Sequence, residues 1–387
     1  MVPSLGPIEA PPSLDLLGPQ GPEIMGLLTR PFLVLHRASS LYTARTCLLL
    51  LFDLGWENRL RSGTTLEELC AGLPDQARKP LAWMLPFLVS EGLLQHEDSV
   101  YALNGVPDLD LAGIREAVDI EAPGHGINFD LVDGVRSRIQ PFFTEGKAGD
   151  ALLFDLALFS LWLAYFRNDN LVYYPNNLLT FLALRQDLAP GSRILELGAG
   201  AGSFARLVGR RGAEEGWLDR IAEYRFTDVA PAFLRRAQRD LAREVPGLPL
   251  AFQTLDLNRS LGDQGIAAGS LDVIIGINVV HVARNLETVL LDLRSRLRRG
   301  GRLILGECLK PSLEHPIYLE FFFSFIRSFT EVELDPRWRP IYGFLTPEAW
   351  VRALLHAGFH DIGSTPPPRP LMDRHPNFNV GAITAWT

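Results

Sequence analysis

The sequence is poor in cysteine. Cys47, Cys70 and Cys308 are scattered through 387 residues and odd in number. That pattern excludes a disulfide framework and a cysteine-bound metal cluster, and fits a reducing compartment. No other metal-ligand spacing stands out, so no metal is expected. Basic charge is also short: 37 Lys and Arg face 45 Asp and Glu, a formal net charge of −8. A nucleic-acid partner is therefore not expected. Long apolar runs are missing too. The longest, Ala151 to Phe166, is interrupted by Asp155 and falls short of a bilayer span, so no membrane partner is expected. The opening Met1-Val-Pro-Ser-Leu-Gly-Pro has no charged segment leading into an apolar core, which predicts no signal peptide and a cytoplasmic location. No internal repeat is visible. What is present is apolar: 47% of the residues are hydrophobic, enough for packed cores, and the length suggests two domains.

The most informative stretch is Arg193-Ile-Leu-Glu-Leu-Gly-Ala-Gly-Ala-Gly-Ser-Phe-Ala-Arg206. It predicts a buried strand over Ile194 to Leu197, a turn at Gly198, Gly200 and Gly202, and a helix from Ser203. Such a sequence opens a βαβ unit. Glycine lets the backbone turn sharply and lets a ligand approach without a Cβ in the way. The helix then aims free N–H groups and its positive dipole end at that ligand. Gly200-Ala-Gly202-Ser-Phe-Ala205 matches the G-x-G-x-x-A dinucleotide fingerprint, so an NAD-dependent oxidoreductase is one reading. The longer pattern Glu196-x-Gly198-x-Gly200-x-Gly202 resembles the first motif of class I S-adenosylmethionine (SAM)-dependent methyltransferases. Asp228, in Tyr224-Arg-Phe-Thr-Asp-Val-Ala-Pro231, ends the next strand. An acid there can accept hydrogen bonds from both ribose hydroxyls, its role in that family.

Further strands are predicted at about Tyr224–Thr227, Leu250–Thr254, Asp272–Ile277 and, after a Gly300-Gly301 turn, Arg302–Gly306. All are apolar on both faces, as in a parallel sheet covered by helices. Asn285 to Leu297 repeats Leu286, Val289, Leu290 and Leu293 on one helical face, and Thr346-Pro-Glu348 starts another helix. His360-Asp-Ile and Asn379–Ala385 then read as two strands with no helix between, which should pair antiparallel. A class I methyltransferase sheet ends this way, and a dinucleotide domain usually does not. The expected fold is α/β: a Rossmann-like methyltransferase sheet, parallel with an antiparallel last strand, over residues 186–387.

Ahead of it, residues 1–24 are rich in proline and glycine and predict a flexible arm. A helix is expected from about Gly26 to Leu54. Residues 63–103 read as a winged helix. Overlapping capping boxes, Thr64-x-x-Glu67 and Thr65-x-x-Glu68, start one helix, Asp75 to Glu91 forms a second, and Leu93–Leu103 forms the wing. That shape allows a ligand-responsive DNA-binding regulator. Residues 1–105, however, hold seven Lys/Arg against eleven Asp/Glu, and phosphate contacts need a basic face. Small-molecule O-methyltransferases carry a similar N-terminal module that dimerises. The resemblance therefore implies an α-rich, winged-helix-like dimerisation domain over 25–105 and a homodimer. Residues 106–185 connect the halves. Ala151–Phe166 and Leu178–Arg185 are expected helices, which the resemblance implies form the back and roof of the acceptor pocket and which could equally be interdomain core, and Tyr173–Asn177 is an expected break between them.

The site residues follow from the strand ends, where ligands sit in an open α/β sheet. Carried over from the family pattern, Asp228 would hold the ribose and Asp256, in Thr254-Leu-Asp-Leu257, would accept from the adenine amino group. Glu196, Gly198, Gly200, Gly202 and Asn278 complete the SAM-binding set. His281, in Asn278-Val-Val-His-Val-Ala-Arg284, is the candidate base, because imidazole titrates near neutral pH. Glu307 follows the neighbouring strand and could orient it. His281 matches the catalytic histidine of small-molecule O-methyltransferases. The His–Glu arrangement, Thr227–Phe233 and Glu307-Cys-Leu-Lys310 are also similar to the carbon-methylating domains of polyketide synthases. The plant-type enzymes have His-Asp-Trp where this chain has His281-Val-Ala283. The aromatic run Ile317–Ile326 could cap an apolar acceptor pocket or serve dimer packing. The expected activity is methyl transfer from SAM to oxygen or carbon of a small or carrier-bound natural-product acceptor. A SAM-binding cyclase or isomerase without methyl transfer is the alternative.

Overall fold

The computed structural model describes residues 5–375 and 378–387, so the first four residues of the expected arm lie outside it. The rest of that arm is packed. Short turns over 14–20 lead into α1 (Gly21–Leu27), and Leu5, Leu17 and Ile24 are buried in the core. Proline and glycine deny this segment a long helix, yet its apolar side chains still gain by leaving water. The expected helix from Gly26 is two. Helix α1 stops at Leu27, and α2 (Arg30–Asp53) restarts with proline in its first turn. Helix α2 is buried along most of its length and anchors the N-terminal half.

Next come α3 (Glu57–Ser62), β1 (Thr64–Thr65), α4 (Leu66–Cys70) and α5 (Arg78–Ser90). The hairpin β2 (Leu94–Glu97) and β3 (Val100–Leu103) completes a three-stranded sheet in the order β1-β3-β2. Thr65 and Glu68 exchange both capping-box hydrogen bonds at the start of α4. Helix α5 is shorter than expected, because residues 75–77 form a separate 3₁₀ turn.

The connecting layer holds α6 (Leu111–Glu121), α7 (Ile127–Thr144), α8 (Gly149–Leu153), α9 (Leu156–Tyr165) and α10 (Tyr174–Arg185). The greasy run 151–166 is not one helix. Asp155 leaves the helical conformation and its carboxylate accepts the Leu158 N–H, so it caps α9 instead of sitting within a longer helix. Tyr173–Asn177 is not a break either. Pro175 falls in the first turn of α10, where its missing N–H costs nothing.

The large sheet has seven strands: β4 (Ser192–Leu197), β5 (Ile221–Asp228), β6 (Leu250–Thr254), β7 (Leu271–Ile277), β8 (Leu297–Cys308), β9 (His360–Thr365) and β10 (Val380–Trp386). Their order is β6-β5-β4-β7-β8-β10-β9, with β10 antiparallel to both neighbours and the other pairings parallel. Helices α11 (Ser203–Glu214), α12 (Pro231–Glu244), α13 (Leu286–Arg296), α14 (Glu320–Phe323), α15 (Arg327–Thr330), α16 (Pro347–His356) and α17 (Pro368–Met372) fill the connections. The Gly300-Gly301 pair, expected as a turn before the strand, lies inside β8 where its register with β7 shifts. The final strands do flank a helix, α17, but at five residues it is too short for a crossover, so the antiparallel pairing holds. Alternate residues of each strand serve opposite cores. Ile194 and Ile304 face the helical half, and Leu195 and Leu303 face α13 and α16. No helix among the described residues is long and apolar enough to cross a membrane.

Candidate active site

Strand β4 ends at Leu197 and the chain turns at once. Gly198, Gly200 and Gly202 take φ of +54°, +52° and +76°, the left-handed region that side chains rarely adopt. Space distinguishes them. A Cβ on Gly198 would lie 2.5 Å from the Val279 side chain, so this glycine admits the end of β7. A Cβ on Gly200 would meet only a backbone oxygen of its own turn, at 3.9 Å. The open cradle is therefore over Gly200, where a ligand would pass. Gly202 caps α11, whose first amides are the free donors of a helix start.

Asp228 ends β5 beside this turn and is 6% exposed. One carboxylate oxygen accepts the Gly200 N–H at 2.9 Å and the other accepts the Ala230 N–H at 2.8 Å. Burial pushes this carboxyl above its usual range, against the pull of those two amides. Each oxygen keeps a lone pair, so the group still fits a diol. Leu255 donates its N–H to the Asp228 carbonyl, which brings Asp256 alongside. Asp256 is half-buried, accepts the Asn258 N–H, and is fixed through its backbone by the Gln264 amide.

Two members of the expected set are turned to other work. Glu196 is buried and its carboxylate accepts the Tyr224 hydroxyl at 2.7 Å. Burial lifts its pKa to about 8 despite that bond, with the Asp228 charge adding to the rise. Asn278 adopts φ +48° and its side-chain oxygen accepts the Cys308 N–H at 3.0 Å, tying the ends of β7 and β8. Its carboxamide oxygen keeps a second lone pair.

Residues 280–282 form a single 3₁₀ turn just past β7. It carries His281, 2% exposed, whose Nδ1 lies 2.6 Å from a Glu307 oxygen. Glu307 is fully buried near the end of β8, and its other oxygen accepts the Val280 N–H at 3.2 Å. Parallel pairing of β7 with β8 brings the two residues together. With Nδ1 committed, Nε2 is the nitrogen left for chemistry; among the described residues it has no hydrogen-bond partner. The imidazole packs against Phe344 (centroids 4.7 Å) and Phe329 (5.7 Å), and both rings touch Phe323. Phe323 belongs to the aromatic run, which continues to Trp162 of α9. The run therefore lies inside the molecule, separated from His281 by the Phe329 and Phe344 rings. Tyr173 and Tyr165 extend this wall, and burial pushes the Tyr173 hydroxyl well up.

Sequence reasoning missed Tyr224 as the partner of Glu196, the two phenylalanines on His281, and Arg339, which donates to the His281 carbonyl at 2.5 Å. Tyr224 was visible as a β5 residue. Arg339 and Phe344 lie in an irregular loop, where no periodicity announces direction.

Residues 195–303 match the protein family described as a methyltransferase domain. A stretch of 174 residues is 32% identical to Highly reducing polyketide synthase 2 of Gibberella zeae, covering 44% of this chain and 7% of that protein. A stretch of 264 residues is 29% identical to Polyketide synthase PksR of Bacillus subtilis, covering 67% of this chain and 9% of that protein. The chain thus spans less than a tenth of the length of these curated relatives. Among solved structures, the CurJ carbon methyltransferase superposes with a TM-score of 0.76 at 19% identity, covering 96% of this chain and 98% of that one. The DszA carbon methyltransferase gives 0.71 at 21% identity, covering 97% and 94%. The fold and the domain match define a class I methyltransferase. Within that class, the sequences this chain resembles are segments of polyketide synthases.

Proposed function

We propose that this chain moves the methyl group of SAM to an activated carbon of a carrier-bound, polyketide-like acceptor, with His281 as the base and Glu307 as its orienting partner. The observation that carries this reading is the buried His281–Glu307 pair, 2.6 Å apart, at the strand ends beside the glycine turn. Bound SAM would supply a methyl already activated on a sulfonium. Asp228 would hold the ribose, the turn at Gly198–Gly202 would pass near the methionine part, and Asp256 would meet the adenine. The protein's remaining task is to exclude water, align the acceptor and remove its proton. His281 Nε2 would take that proton, while Glu307 fixes the tautomer and balances the imidazolium. The aromatic wall from Phe344 to Trp162 suits an apolar acceptor and keeps water out. Carbon is favoured over oxygen because two structures that superpose over nearly the whole chain are named carbon methyltransferases. The winged-helix-like segment 25–105 is the proposed contact between two copies, which light scattering measures.

The test pairs two variants with methyl-deuterated SAM and a 3-oxoacyl thioester of pantetheine, followed by mass spectrometry. Label on the carbon between the two carbonyls is the expected result; label on oxygen would overturn the choice of carbon. His281→Ala should keep SAM affinity and lower turnover by roughly 10²–10⁴-fold, the usual worth of a general base. Asp228→Ala should abolish SAM binding by calorimetry, and undiminished affinity would remove Asp228 from the cofactor site.

A further inference from the structure

Arg339 is 1% exposed, yet its guanidinium is poorly satisfied. One nitrogen, Nη2, donates to the His281 carbonyl at 2.5 Å and reaches the Gly343 carbonyl at 3.5 Å. Nε and Nη1 are buried and find no acceptor among the described residues. The other deeply buried guanidiniums are used differently. Arg302 donates to three carbonyls, of Ala183, Leu184 and Gln186, and Arg45 to the Asp108 carboxylate and the Asp110 carbonyl. Leaving donors unpaired in the interior is costly, so a clamp chosen only for its hydrogen bonds would not be built this way. The charge itself has a use nearby. Glu307 is fully buried with His281 and the Val280 amide as partners, and a carboxylate taken out of water needs positive charge close by. Burial pulls the Arg339 pKa down to about 10, and the negative charge of Glu307 opposes that fall. Lys310 is committed to Glu320, and the Asp335 carboxylate is held by Arg337. The backbone of Arg339 is pinned to Asp335 by two reciprocal hydrogen bonds, so the guanidinium is held in place.

We propose that Arg339 is a positioning residue for the His281–Glu307 pair. It clamps the carbonyl of the turn that carries His281, and its buried charge balances Glu307 and sets how readily His281 takes a proton. The proposal rests on His281 being the base. Arg339 touches neither reacting partner and acts through the pair. A cation beside a base disfavours its protonation, so losing it should make His281 bind its proton more tightly. Activity would then require a higher pH.

The experiment compares Arg339→Met, Arg339→Lys and His281→Ala, alone and as the double variant Arg339→Met/His281→Ala, by methyl-transfer rate across pH and by SAM affinity. Arg339→Met should lower kcat about 10- to 100-fold, leave SAM affinity within about threefold, and move the acid limb of the rate profile to higher pH. Arg339→Lys should return the limb toward the parent position. In the His281→Ala background, Arg339→Met should cost little more, since both act in one unit. An unmoved acid limb in a folded Arg339→Met protein, or full additivity of the two losses, overturns the proposal. A near-normal rate for His281→Ala alone overturns instead the assignment of the base. If Arg339→Met does not fold, the Arg339→Lys profile and its non-additivity with His281→Ala decide.

Discussion

Glu196 shows how one side chain can belong to a motif and still serve the interior. It sits two residues before the first glycine, yet its carboxyl is buried on the Tyr224 hydroxyl. Its folded pKa of about 8 lies above the ordinary 4.5, because burial disfavours the charged form. The folded state therefore holds this proton more tightly than the unfolded chain. That contribution is complete below pH 4.5 and is lost as pH rises through about 8. Glu196→Gln keeps the acceptor for Tyr224 and removes the charge. Its melting temperature should fall less than the parent's between pH 5 and pH 8.5. Parallel curves over that window would show that Glu196 is ionised when folded. SAM affinity should survive the change if the carboxylate acts on the core and not on the cofactor.

At the scale of elements, the glycine turn separates two kinds of glycine that the motif spells identically. Gly198 and Gly200 are both left-handed, so alanine is strained at either. Only at Gly198 does the new Cβ also strike the Val279 side chain, at 2.5 Å. Gly198→Ala should therefore lower stability by several kcal/mol, adding overpacking to strain, whereas Gly200→Ala should lose about 1–2 kcal/mol from strain alone. Gly200→Ala should instead lose SAM affinity, because its Cβ fills the open cradle. Denaturant melts and SAM titrations of the two variants give this crossed pattern; equal losses in both would mean that the turn is read wrongly. The neighbouring 3₁₀ turn at 280–282 works similarly. Its backbone is fastened from both sides, by Glu307 at the Val280 amide and by Arg339 at the His281 carbonyl.

At the scale of the molecule, the two halves are joined by buried polar links. Trp83 of α5 donates to Glu320 at 2.9 Å, Lys310 pairs with the same carboxylate, and His36 of α2 meets the Tyr318 hydroxyl at 3.0 Å. The Trp83 and His36 bonds tie the N-terminal half to the segment that follows β8, and Lys310 holds Glu320 from within that segment. Burial lowers the His36 pKa from 6.5 to about 4, so the folded state resists its protonation. The stability this gives is present above pH 6.5 and is lost as pH falls toward 4, by roughly 3 kcal/mol at about 1.4 kcal/mol per unit. His36→Gln should flatten the fall in melting temperature between pH 7 and pH 4.5. If the variant loses stability with acid as steeply as the parent, another group drives the change.

Much of this protein was legible before any coordinates. The strand–glycine–helix signal, Asp228 and Asp256 at successive strand ends, His281 with Glu307, and the antiparallel end of the sheet are all local patterns with a fixed period or spacing. A parallel sheet gathers its strand ends at one edge, so strand order alone predicted that His281 and Glu307 would meet. What the tertiary structure decided was direction and burial. Nothing in its neighbours says that Glu196 turns to Tyr224, that Asp155 divides a greasy run into two helices, or that a proline-rich start packs into the core. Nor could an irregular loop announce that Arg339 and Phe344 close around His281. Sequence determines what each segment can bury. Which atoms it buries against depends on residues far away in the chain, and those contacts exist only once the whole has folded.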